Sequence, residues 1–236
     1  MQDMSHQMMG YDRTSIMFSP DGRLLQVEYA KESVKNGSTA VGIVCKDGAL
    51  LLGDKRIVDK LIVAASVEKI FQVDEHIGAT AVGAVMDGRV LVEKAQVMAQ
   101  QHRITYGEKI DTHSLVKEIC DVKQFYTQYG GARPFGVSIL FIGVDDGKPC
   151  LYVTEPTGIF FEYTATAVGE YDNEVKAILN KSYKDTITVD EGLKLAVDAF
   201  KKILAKEFDP RRFDGIIIRT SDNKFTKIDR KLLNGP

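Results

Sequence analysis

The chain has 236 residues, 44% of them hydrophobic and 27% charged, ordinary proportions for a globular protein. A chain of this length buries roughly 70% of the surface it exposes when unfolded, so neither a metal nor a disulfide is needed to hold a core. With 31 Lys and Arg against 33 Asp and Glu it lacks the broad positive field of a nucleic-acid binder, and no stretch approaches the roughly eighteen apolar residues of a membrane span.

The three cysteines, Cys45, Cys120 and Cys150, lie far apart, form no CxxC and have no histidine at zinc spacing. They read as buried free thiols in a reducing compartment, with no metal and no cofactor implied. The N-terminus carries no basic segment followed by an apolar run, so a soluble, cytoplasmic protein is expected.

Residues 1–18 hold no sustained period and read as a mobile N-terminal segment, within which Met9-Gly10 offers an alternative start. Ser19-Pro20-Asp21-Gly22 is a turn signal, with Asp21 the expected N-cap of an amphipathic helix over 22–36. Leu24, Val27, the stem of Lys31 and Val34 share one face of that helix, and Gly37 supplies its stop. The helix stands ahead of the main fold and has no evident use inside it.

Strands are predicted at Thr39–Cys45 and Ala49–Asp54, joined across Lys46-Asp47-Gly48 by a strong hairpin signal. A second pair, Lys69–Val73 and Ile77–Val85, precedes two helices, the first over about Arg89–Arg103. The second places Leu115, Ile119, Val122 and Tyr126 on one face, beside Val116 and Cys120. After Gly130-Gly131 the strand period returns at Phe135–Val144, Cys150–Thr154 and Ile159–Val168. Helices follow at Asn173–Tyr183 and Val189–Ala205, the latter opened by Thr188 with Glu191 three residues on, a capping-box pattern. Ile216–Arg219 and Phe225–Ile228 close the chain as strands. Hairpin-rich strand blocks alternating with helix pairs, and no linker, predict one α+β domain over 19–236. Its architecture is a four-layer α/β/β/α sandwich of two mostly antiparallel sheets.

Two segments carry a resemblance. Tyr11-Asp12-Arg13, Phe18-Ser19-Pro20-Asp21-Gly22-Arg23-Leu24 and Gln26-Val27-Glu28-Tyr29-Ala30 resemble the signature that opens proteasome α-type subunits, especially archaeal ones. The run from Tyr126 to Ser138, containing Tyr129-Gly130-Gly131-Ala132-Arg133-Pro134, is similar to a second characteristic segment. The resemblance implies the Ntn-hydrolase sandwich and an outer heptameric ring, of one subunit type or several, stacked on proteasome β subunits. It also implies regulatory ATPases or other activators as partners, unfolded protein in transit, and no nucleic acid or membrane. Met86-Asp87-Gly88-Arg89 and Glu170-Tyr171 depart from the family's usual small residues, and Ala84 replaces a larger apolar one.

An Ntn hydrolase attacks with an N-terminal Ser, Thr or Cys whose own amine is the base. The β-subunit pattern would set Ser38 as nucleophile, Asp54 as acidic partner and Lys69 as tuning lysine, making a self-processing peptidase the alternative reading. It requires loss of residues 1–37, which hold the α-type signature, so a non-catalytic subunit is expected. The resemblance assigns Lys69, Gly83 and Glu28 to an activator-docking pocket; otherwise Lys69 is a solvated surface lysine. It assigns Tyr11, Asp12, Pro20 and Tyr29 to a cluster that stabilises the open gate, and Tyr129, Gly130, Gly131 and Ala132 to the pore-entrance loop. A weaker pairing of Arg13 with Glu28 is also expected. Asp111, His76, His102 and His113 fit no ligand or triad spacing and are expected at the surface.

Overall fold

Asp-Gly turns and alternating apolar residues fold the strand blocks into hairpins, and the hairpins stack as two sheets. The structure, a computed structural model, describes residues 10–11, 13–57 and 61–233. In the first sheet, β1 (Ala40–Cys45) and β2 (Gly48–Asp54) pair around Lys46-Asp47. They are joined by β8 (Ala165–Val168), β9 (Phe213–Arg219) and β10 (Phe225–Lys227) in the order β10-β9-β2-β1-β8. The second sheet runs in chain order: β3 (Ile70–Asp74), β4 (Ile77–Gly83), β5 (Val137–Asp145), β6 (Lys148–Thr154) and β7 (Phe160–Glu162). Neighbouring strands are antiparallel in both sheets.

Period-2 alternation sends each strand's residues to two cores. Leu51, Ile216 and Ile218 of the first sheet meet Val82, Leu140, Ile142 and Leu151 of the second. Val41, Ile43 and Leu52 face outward, under α4 (Asp172–Ser182) and α5 (Val189–Leu204). Ala79, Ile139 and Phe141 face α2 (Val85–Tyr106) and α3 (Thr112–Gln128). This is the expected four-layer sandwich. The sheets approach so closely at Gly42 that a Cβ there would lie 2.6 Å from Leu151 Cδ1. The capping box also forms: Glu191 N–H donates to Thr188 Oγ1 at 3.3 Å, and Thr188 N–H donates to Glu191 Oε2 at 2.8 Å.

Several boundaries differ from the sequence reading. Ile159–Val168 is two strands in two sheets, because Tyr163 N–H donates to Leu151 O at 2.9 Å while Thr164 O accepts from Val44 N–H at 2.7 Å. Adjacent residues thus give their backbone bonds to opposite sheets, and the chain crosses the sandwich there. Helix α2 starts at Val85, earlier than Arg89, so Met86-Asp87 form its first turn.

The first helix, α1, spans Leu25–Lys35 and has no side-chain cap; Asp21 does not cap it. Ser19 closes the preceding turn, donating its N–H to Arg23 O at 2.9 Å and accepting Arg23 N–H on Oγ at 3.2 Å. The buried face of α1 is Leu25, Val27, Ala30 and Val34, and Val34 belongs to the core between the sheets. The helix is therefore built into the sandwich, contrary to the expectation that the domain has no use for it.

The cysteines are buried and free, and among the described residues no helix is long and apolar enough to cross a membrane. His76 is buried, against the expectation of a surface residue. Its Nε2 lies 2.8 Å from Ile110 O, and its Nδ1 faces an Asp74 carboxylate onto which Arg103 Nη2 donates at 2.6 and 2.9 Å. Of the other three, Asp111 and His113 are exposed, Asp111 capping α3 by accepting Ser114 N–H at 2.8 Å, while His102 is half-buried beside Tyr106.

Lys123 is the largest fully buried side chain among the described residues. Its Nζ donates to Val137 O at 2.9 Å and to Thr154 Oγ1 at 3.0 Å, and burial lowers its pKa from 10.5 to about 7. Between those values the unfolded chain holds a proton that the folded chain has released, so stability rises with pH across this window. The burial cost of the charged form is fully present below it. The urea midpoint is expected to be higher at pH 9 than at pH 6.5, by at most about 1.4 kcal/mol of stability per pH unit from this lysine. Lys123→Met should lose the part of the rise that begins near neutrality. A wild-type midpoint that is flat or falling over this range contradicts the assignment.

Candidate functional site

The expected site residues gather where the chain leaves α1, bends at Gly37-Ser38-Thr39 and enters β1. Lys69, just ahead of β3, extends its side chain into this bend and is only 8% exposed. Its stem crosses beside Gly53 of the first sheet, where a Cβ would meet Lys69 Cγ at 2.7 Å. Its Nζ donates to Ala81 O at 2.7 Å, Ser38 Oγ at 2.8 Å and Ser38 O at 3.1 Å. Desolvation lowers its pKa from 10.5 to about 8, opposed by the more distant charge of Asp54. Lys69 is therefore not a solvated surface lysine.

Asp54 is committed elsewhere. Arg212 donates Nε to its Oδ1 at 2.9 Å and Nη2 to its Oδ2 at 2.5 Å, and Arg56 N–H adds a third bond at 2.8 Å. Lys69 thus donates its hydrogen bonds to neutral oxygens, an unusual setting for an ammonium. Ser38 is joined through Gly37 to a folded helix, so its nitrogen is a peptide amide with no basicity.

Gly83, at the end of β4, closes the other side of the bend. It holds φ +116°, and a Cβ there would sit 2.3 Å from Gly136 O. A Cβ on Gly37 would meet Gly83 N at 2.5 Å, so the two backbones touch. Glu170-Tyr171, a departure in the sequence, seals the third side. Glu170 N–H donates to Gly37 O at 2.9 Å, its carboxylate pairs with Arg56 at 3.0 Å, and Tyr171 N–H donates to Thr39 Oγ1 at 3.2 Å. Glu28 pairs with Arg23 at 3.5 Å, rather than with Arg13 or Lys69.

Of the remaining expected residues, Gly130, Gly131 and Ala132 line a groove of about 500 Å³ with Arg13–Ile16, Gln26 and Arg133. Tyr129 stacks on Phe125 with ring centroids 5.4 Å apart, and Gly131 holds φ +89° with open space around it. Ala132 N–H donates to Tyr129 O at 3.3 Å, closing the tight turn. Gly130 packs toward Ile16, bringing the N-terminal segment onto this loop. Pro20 sits exposed in the turn before α1, Tyr29 is exposed on that helix, and Tyr11 is half-buried. Asp12 lies outside the described residues.

Sequence reasoning missed a two-pronged ion pair of the region. Asp87, in the first turn of α2, accepts Arg133 Nη1 and Nη2 at 2.6 Å each and Gly136 N–H at 2.9 Å. Burial pushes its carboxyl pKa up, but the guanidinium fork and the Gly136 amide outweigh it and hold it below the usual range. The available signal was an acidic residue directly after a strand, where a helix N-terminus favours negative charge. Among the described residues no three His, Cys, Asp or Glu side chains gather as a metal site.

The family profile described as Proteasome subunit matches residues 34–219, and the companion profile for the N-terminal signature of A-type proteasome subunits matches residues 11–32. The chain is similar to the proteasome alpha subunit of Methanocaldococcus jannaschii, 50% identical over 218 residues, or 92% of this chain and 83% of that protein. The same-named protein of Thermococcus sibiricus is 50% identical over 93% of this chain and 84% of its own length. That of Methanosarcina acetivorans is 49% identical over 93% of this chain and 89% of its own.

Two of the positive-φ glycines, Gly83 and Gly131, provide an internal comparison. Gly83→Ala combines left-handed strain, typically about 1–3 kcal/mol, with collision against a backbone oxygen. Gly131→Ala carries the strain alone, about 1 kcal/mol. Urea unfolding should rank Gly83→Ala clearly below Gly131→Ala, and equal stabilities would show that the bend at Gly83 relaxes freely.

Proposed function

We propose, from the fact that this chain belongs to the proteasome α-subunit family, that it is a non-catalytic subunit of the outer, heptameric ring of a cytoplasmic proteasome core particle. In this reading the ring stacks on β subunits, which cleave. The segment over 1–18 gates the axial pore, and unfolded protein passes the 129–132 loop. Lys69 and Gly83 line the pocket that receives the C-terminus of a regulatory ATPase or other activator.

The observation that carries the non-catalytic reading is that α1, directly ahead of Ser38, is packed into the fold, with Val34 in the core between the sheets. Catalysis of the Ntn type needs a free α-amine at that residue, and here its nitrogen is in a peptide with Gly37, whose carbonyl accepts Glu170 N–H at 2.9 Å. Removing residues 1–37 would also strip Leu25, Val27, Ala30 and Val34 from the core. The docking reading is supported by the chemistry of Lys69, because no carboxylate among the described residues contacts it and a terminal carboxylate would supply one.

Because Lys69 titrates near pH 8 when its partners are neutral, an arriving carboxylate should raise that pKa and draw a proton onto the amine. Affinity for an activator's C-terminal peptide should fall as pH rises from 7 to 9. Calorimetry at pH 8.5 in buffers of different ionisation enthalpy should register proton uptake. Binding that is independent of pH, with no proton uptake, would exclude Lys69 as the carboxylate partner.

The gate is tested by truncation. With residues 1–12 removed and the ring reconstituted with an active β subunit, peptide hydrolysis without activator should rise, while the truncated α ring alone should hydrolyse nothing. Unchanged activator-free hydrolysis would show that this segment is not the barrier.

A further inference from the structure

We infer that the Asp87–Arg133 ion pair is a positioning contact that couples the Lys69 pocket to the loop at Gly130–Ala132. This deepens the docking and gating reading proposed above and rests on it. The chain of contacts is continuous. Lys69 holds Ser38, Gly37 packs on Gly83, and Gly83 presses on Gly136 O, which also accepts Ala84 N–H at 2.8 Å. Asp87 then grips the other face of the same residue through Gly136 N–H and, through its fork, Arg133. Arg133 directly follows the loop, donates also to Pro134 O at 3.1 Å, and lines the groove holding Arg13–Ile16.

The geometry makes the pair more than a local brace. Asp87 is buried and fixed to the N-terminus of α2, whereas the Arg133 side chain is 58% exposed and has no other carboxylate partner among the described residues. A shift of Gly83 on docking displaces Gly136 and the first turn of α2 together, because backbone bonds and the Asp87 carboxylate lock them into one unit. The guanidinium transfers that displacement to the loop, and two parallel bonds resist rotation where one would pivot. Coupling of this type is a free energy shared between two sites, so it is separable from the affinity of either one.

The test uses the core particle reconstituted with an active β subunit, and the probe is an activator's C-terminal peptide. Peptide affinity is read by calorimetry, and hydrolysis is measured with and without peptide. Arg133→Gln removes the fork from the exposed partner, Asp87→Asn keeps the acceptor for Gly136 N–H, and Arg133→Lys keeps the charge without the fork. All three should retain peptide affinity within about twofold, while both fork-breaking neutral variants lose at least about fivefold of the stimulation. Arg133→Lys should recover part of it. Stimulation equal to wild type in Arg133→Gln overturns the inference, as does affinity that falls in parallel with stimulation, which would place the pair in the pocket itself. A wild-type particle that binds no peptide overturns the docking reading and this inference with it. A variant that does not assemble is replaced by the other two, whose stimulation ratio decides in the same way.

Discussion

The ammonium of Lys69 lies between the two sheets on three neutral oxygens, and the arrangement of the site depends on it. Two of those oxygens belong to Ser38, ahead of the first sheet, and one to Ala81 in the second. The stem lies against Gly53, where any side chain would block it. An ammonium so placed tolerates oxygen acceptors nearby and disfavours a second cation.

The same contact explains why α1 is part of the fold. Val34 completes the core between the sheets, and the chain then turns through Gly37, whose backbone is pressed against Gly83 with no room for a side chain. Asp54, the acid that an Ntn site would turn toward its lysine, is held by Arg212 and the Arg56 amide. The bend at Gly37-Ser38-Thr39 is a packed junction. Its lysine, Lys69, has a lowered pKa and contacts no carboxylate among the described residues.

Much of the fold was legible because its signals are local. Asp-Gly turns set the hairpins, Thr188 and Glu191 announced α5, and period-2 alternation separated the sheet faces. The strand break at Tyr163-Thr164 was not legible, since both residues suit a strand and only the position of two distant partners, Leu151 and Val44, divides them. Asp87 and Arg133 are 46 residues apart in sequence, and the run containing Asp87 looked like a departure from pattern when it is the first turn of α2. Lys123 was invisible for a similar reason: Val122 beside it is the better core residue by composition, yet the helix turns the lysine inward toward Val137 O and Thr154. Of the expected site, the resemblance supplied Lys69, Gly83 and the 129–132 loop. Burial, the neutral acceptors of Lys69 and the pairing of Glu28 with Arg23 needed three dimensions.

The non-catalytic character of this subunit rests on residues ahead of Ser38 staying attached. Intact mass spectrometry of the chain after assembly with an active β subunit tests this most directly. The expected result is a mass that still includes the residues ahead of Ser38, 26.2 kDa for the 236 residues of this chain. A mass corresponding to a chain that begins at Ser38 would contradict it, because that product carries the free amine that the continuous backbone denies.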